Sequence, residues 1–156
     1  MKTYNIKIIS QRNSIILIAL LLSIFIGGRL MLLPKSINQG LAILLTALVA
    51  VISYLLWQKL VTGKTEWTLD DTGLQVIWMK QFAFTHIEDI RLSWSDIDSF
   101  SDKADLNYHT FKIKLRSGQT VKFYHDNLTT GDDYKQFTED FALLFKAMQA
   151  AANNNV

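Results

Sequence analysis

Few residues in this chain are of types that do chemistry. Three histidines, His86, His109 and His125, are the candidate metal ligands, with Asp126 as a further donor beside them. A zinc site draws on closely spaced His, Cys and carboxylate ligands. No short ligand spacing of that kind occurs and the chain has no Cys, so rim histidines of a β domain are expected and a metal site is not. Asp96 and Asp98 would share a face if their stretch is extended, as paired carboxylates do. Acid/base work also needs a pocket and a partner, and the sequence indicates neither. Ser93 and Ser95 have no evident base, and no Walker-type or G-x-G-x-x-G loop is present. No catalytic, cofactor-binding or metal residue is therefore expected, and the chain reads as non-enzymatic.

The elements that would carry these residues alternate with a period of two. Trp67 and Leu69, the loop Asp70-Asp71-Thr72-Gly73, then Leu74, Val76 and Trp78 predict a β-hairpin that pairs Leu69 with Leu74, with Gly73 supplying a positive φ. Ile90 to Trp94 alternates again, and Ser95-Asp96 predicts a bend before Ile97 and Phe100. Ser101 to Asn107 is a polar loop. His109, Phe111, Ile113 and Leu115 face Val121, Phe123 and His125 across Arg116-Ser117-Gly118, which pairs Ile113 with Val121, Phe111 with Phe123 and His109 with His125. The other face of that hairpin carries Lys112, Lys114 and Lys122, and with Arg116 these are the candidate contacts for lipid or a partner. The competing interpretation is an ordinary solvated strand face. Thr130 with Asp133 resembles a capping box for a closing helix striped by Tyr134, Phe137, Phe141, Leu144, Phe145 and Met148.

Two apolar runs precede this domain. Leu41 to Trp57 is uncharged and would rise roughly 26 Å as a helix, and Ile15 to Leu33 roughly 28 Å, against a bilayer core of about 30 Å. With the polar connection Pro34 to Gly40 between them, they predict an antiparallel transmembrane hairpin. Arg29 lies near the turn, where it would snorkel to the headgroups. Ala19, Ser23 and Gly27 in the first run and Ala42, Thr46 and Ala50 in the second recur every fourth residue, a spacing that lets helices approach closely. A secretory signal peptide is the rival explanation, but no A-x-A-like cleavage site follows the first run.

Lys2, Lys7 and Arg12 before the first run, and Lys59 and Lys64 after the second, outnumber Arg29 and Lys35 at the turn. The positive-inside rule then places both termini in the cytoplasm, in a multi-pass protein of the cell (inner) membrane. All 14 acidic residues lie from Glu66 onward, so the formal charge of +2 hides a basic N-terminal portion and a mildly acidic domain. Nucleic acid, which calls for a concentrated basic face, is not an expected partner. The expected organisation is a basic cytoplasmic leader (1–13), a transmembrane hairpin (14–57), a β domain with a C-terminal helix (65–149) and a flexible tail (150–156).

Trp67 to Leu74, Leu92 to Ile97 and Phe111 to Gly118 resemble the bacterial PH-like (YcxB-like) domains, a family in which the domain commonly follows a pair of transmembrane helices. That resemblance implies a membrane-anchored α+β protein: a two-helix transmembrane hairpin, then a PH-like antiparallel β-barrel with a C-terminal capping helix. It implies no catalytic residues and no cofactor. The expected function is a membrane-anchored interaction module that contacts lipid headgroups or recruits a protein partner. The alternative is a structural or regulatory subunit packed into a larger membrane complex through its helices.

Overall fold

The computed structural model of the chain describes residues 1–31, 39–105, 108–126 and 131–153. In order these form β1 (Lys2–Ile9), α1 (Gln11–Met31), α2 (Gln39–Leu60), β2 (Thr62–Leu69), β3 (Gly73–Lys80), β4 (Ile90–Ser93), a 3-10 turn (Trp94–Asp96), β5 (Ile97–Ala104), β6 (Tyr108–Leu115), β7 (Thr120–Asp126) and α3 (Tyr134–Asn153). Two compact units result. One comprises Met1–Ile9, Gly63–Gln81 and Thr85–Val156, the other Ser10–Thr62 with Phe82–Phe84.

The first unit is a seven-stranded antiparallel sheet in the order β4-β3-β2-β1-β7-β6-β5. Its hairpins keep the expected registers: Leu69 opposite Leu74, and Ile113, Phe111 and His109 opposite Val121, Phe123 and His125. Alternation fixes the buried face, because a one-residue slip would turn every apolar side chain to solvent. Trp67, Leu69, Leu74, Val76, Phe111, Ile113 and Phe123 are buried, and so are Tyr4, Ile6 and Ile8 of β1. The α3 stripe closes this core through Tyr134, Phe137, Phe141 and Phe145. Trp94 is buried in the 3-10 turn, where the sequence predicts a bend.

Three expectations are corrected here. Residues 1–13 are not merely a basic leader, since Lys2–Ile9 is a strand lying between β2 and β7. The β domain therefore does not simply follow the helices, which are an insertion between two neighbouring strands. Its strands pair as one sheet with β4 and β5 at the ends, in place of the expected closed barrel.

The two-helix transmembrane hairpin (14–57) is the third correction: among the described residues one window, Ile43–Leu60, is long and apolar enough to cross a bilayer. In α1 the apolar run from Ile15 stops at Arg29, which leaves roughly 21 Å of apolar rise against about 30 Å of hydrocarbon. The first turn of α1 is committed to protein. Ser10 Oγ accepts the Asn13 N–H at 3.2 Å, and the Asn13 side-chain amide donates to Leu60 O at 2.8 Å and Ala83 O at 3.1 Å.

Within the second unit α1 and α2 touch. Burial on them falls at Asn13, Ser14, Leu17 and Leu21, and at Ser53, Leu56, Trp57 and Leu60, two rows with helical spacing. Of the small-residue seam, Ala19, Ser23, Thr46 and Ala50 are exposed, and Ser23 Oγ donates to Ala19 O in its own helix. The side chains of Gly27, Arg29 and Ala42 lie outside the described residues, as do Pro34 to Asn38 and Thr130. At the C-terminus the expected tail is helical through Asn153.

Candidate functional site

The basic face forms as its alternation dictates, on the solvent side of β6 and β7. Lys112 and Lys122 are exposed and stand directly opposite each other. Like charges so placed repel, by about 1 kcal/mol at 4 Å in water. Neither has an ion-pair partner among the described residues. Lys114 differs, since its Nζ is 3.2 Å from Asp98 Oδ2. Arg116 sits in the β6–β7 turn, where its backbone N–H donates to Asp96 O at 2.9 Å. The four sequence-predicted residues are thus on one hairpin, but only Lys112 and Lys122 form an uncompensated cationic pair. Tyr108 and Tyr124 extend the same face, their rings edge to face at 5.5 Å.

Register places this face at one end of the sheet. With Ile8 opposite His125, β1 runs out beside Tyr124, while β7 begins at Thr120. The turn carrying Arg116 therefore projects past the point where the chain leaves β1. Lys64 and Lys80, opposite each other on β2 and β3, lie toward that same end. The arrangement can attract an anionic surface, each cation contributing about 1 kcal/mol close to one.

A second cluster escaped sequence reasoning. His125 Nε2 lies 2.9 Å from Asp132 Oδ2, with side chains only 7% and 8% exposed. A carboxylate only accepts, so Nε2 carries the hydrogen. Asp132 also accepts the Lys7 N–H at 3.0 Å. Burial pushes the Asp132 carboxyl up, but hydrogen bonds from His125, Lys7 and Tyr134 outweigh it and hold the group below the usual carboxylate range. The His125 ring stacks on Tyr134 at 4.0 Å, and the Tyr134 hydroxyl donates to Asp102 Oδ1 at 2.8 Å. Burial and that bond raise the Tyr134 pKa. His109 and His125 do meet, with centroids 6.1 Å apart, but His86 does not join them. No group of three His, Cys, Asp or Glu suited to a metal occurs among the described residues.

Asp96 and Asp98 are separated by structure, one in the 3-10 turn and the other on β5 paired with Lys114. Ser93 Oγ is spent on Thr72 O. The only advance signal of the Asp132 cluster was two aspartates just before a helical stripe. Their role is to tie β1, β7 and α3 together, since Asp133 also accepts the Asn5 N–H at 2.8 Å.

Asp132→Asn is expected to lower stability by about 2 kcal/mol at pH 7, the scale of a hydrogen bond to a charged group. A carboxyl whose folded pKa lies below its unfolded value near 3.9 stabilises above that value and loses the contribution as pH falls through the folded pKa. The wild-type chain should therefore lose its margin over the variant as pH is lowered from neutral to below the unfolded value. Urea midpoints across that range check this, and a margin that does not shrink on acidification would refute it.

No family model, curated protein or solved structure matches this chain. The resemblance to the PH-like family rests on the quoted residues alone.

Proposed function

We propose that this protein is a non-enzymatic, membrane-associated module: its helical unit is held in lipid, and its sheet meets the anionic headgroups or a protein bound there. The observation that carries the reading is α2. Its apolar window Ile43–Leu60 is long enough to cross a bilayer, and every residue in it is at least partly exposed. A water-exposed helix of that composition would leave Ile43, Leu44, Leu48, Val51, Ile52 and Leu55 solvated, at about 25 cal/mol per Å² of apolar area. Lipid removes that cost. Lys59 at the end of α2 and Lys64 just after it, with Lys2, Lys7 and Arg12 before or at the start of α1, favour the cytoplasmic side for the sheet and for both termini with it.

The alternative, a subunit packed through its helices into a larger membrane complex, has one observation in its favour: Ala19, Ser23 and Ala50 are exposed on the helices. Both readings place the chain in lipid. Alkaline carbonate extraction of membranes from cells making the full chain should leave it in the pellet. Release into the supernatant would overturn the proposal.

A further inference from the structure

The β3–β4 connection holds a residue that neither the core nor the basic face uses. Phe84 is 99% exposed, and its backbone takes φ 60, a left-handed conformation that bulky residues rarely adopt. The loop around it is pinned. The Gln81 amide donates to Ile87 O at 2.9 Å and its carbonyl accepts the Ile87 N–H at 3.2 Å, which closes the loop base. The adjacent Ala83 O accepts from the Asn13 amide at 3.1 Å, and that amide also donates to Leu60 O at 2.8 Å. Phe82–Phe84 accordingly belong to the compact helical unit.

Leu60 is the last residue of the apolar window Ile43–Leu60 and follows Lys59, so on the membrane reading of α2 it lies near the level where lipid gives way to water. One amide bridges that residue to the neighbour of Phe84, which puts the aromatic ring at the same level. Trp57 and Tyr54 lie about one and two turns before Leu60 on α2, where an interfacial aromatic belt belongs.

We propose that Phe84 is an interfacial anchor that inserts into the lipid surface beside α2, so that the β3–β4 loop is a second membrane contact of the chain. This rests on the membrane reading of α2. The pinned loop and left-handed backbone hold the ring outward, where hydrocarbon rather than water is its favourable surrounding.

The chain has no cysteine, so single cysteines label it uniquely. Nitroxides attached to Phe84→Cys, Ile52→Cys and Asp71→Cys variants of the full chain in phosphatidylcholine–phosphatidylglycerol vesicles report depth through collisions with oxygen and a water-soluble nickel complex. Ile52 lies inside the apolar window, and Asp71 in the acidic β2–β3 turn. The oxygen-to-nickel ratio at 84 should exceed that at 71 severalfold and approach that at 52. A ratio at 84 equal to that at 71, with 52 in lipid, overturns the anchor and leaves the membrane reading standing. A ratio at 52 equal to that at 71 overturns both.

Discussion

Trp67→Ala should cost the chain about 4 kcal/mol, within the range of roughly 3 to 5 for removing a buried Phe or Trp side chain. Trp67 is wholly buried and meets three elements at once, with its ring 4.5 Å from Phe123 on β7, 4.5 Å from Phe137 on α3 and 5.9 Å from Phe111 on β6. Its indole N–H donates to Thr65 Oγ1 at 2.6 Å, and that hydroxyl donates on to Ile6 O of β1 at 2.9 Å. One side chain thus joins the N-terminal strand to the rest of the core. Trp67→Phe keeps most of the ring contacts and strands no donor, because the Thr65 hydroxyl still reaches Ile6. Its cost should be about 1 to 2 kcal/mol. Urea midpoints of the full chain in mild detergent measure both. Equal costs for the two variants would show that the ring cluster is not what holds β1, β7 and α3 together.

The hairpins and α3 were legible because their information is local. Period-two alternation sets the buried face of a strand, and Gly73 and Gly118 in short loops set the register, so Leu69–Leu74 and Phe111–Phe123 could be paired from the sequence. β1 carried an equally clear signal, with Tyr4, Ile6 and Ile8 inward and Thr3, Asn5 and Lys7 outward. Its Lys2 and Lys7 also fit the charge pattern of a membrane leader, so the sequence of this strand supports two readings. Its neighbours β2 and β7 are far away in the chain, and no local pattern specifies such a pairing.

The basic face could be read for the same local reason as its hairpin. What spacing could not give is that Asp98 compensates Lys114 and leaves Lys112 and Lys122 as the uncompensated pair. The Asp132 cluster joins residues from β1, β5, β7 and α3, so only the folded chain brings it together. Hydropathy counting gave α1 and α2 equal weight. What such counting does not register is Asn13, whose amide spends its hydrogens on Leu60 O and Ala83 O.

Gly73→Ala should destabilise the chain by about 3 kcal/mol or more, because a clash is added to an unfavourable backbone conformation. Gly73 opens β3 at φ +158, and a Cβ built there would lie 1.9 Å from Leu92 O and 2.9 Å from Leu92 C. These are backbone atoms of the paired strand, so no side-chain rotation relieves the overlap. Gly73 is opposite Ser93, and the turn before it is fixed by Asp70, whose carboxylate accepts from the Thr72 and Gly73 N–H groups and the Thr72 hydroxyl. Those bonds hold the Asp70 carboxyl below its usual pKa. Trp94 is seated on the same turn, its indole N–H donating to Asp70 O at 2.9 Å. Moving β4 aside to admit a methyl group would therefore also pull Trp94 from the core. Gly118 separates the two contributions, since its φ is +86 but a Cβ there meets nothing within 4 Å. Gly118→Ala should cost only about 1 to 2 kcal/mol, the penalty of a left-handed L-residue. If the two alanine variants have the same urea midpoint, the close approach of β4 to Gly73 is not what makes that position intolerant.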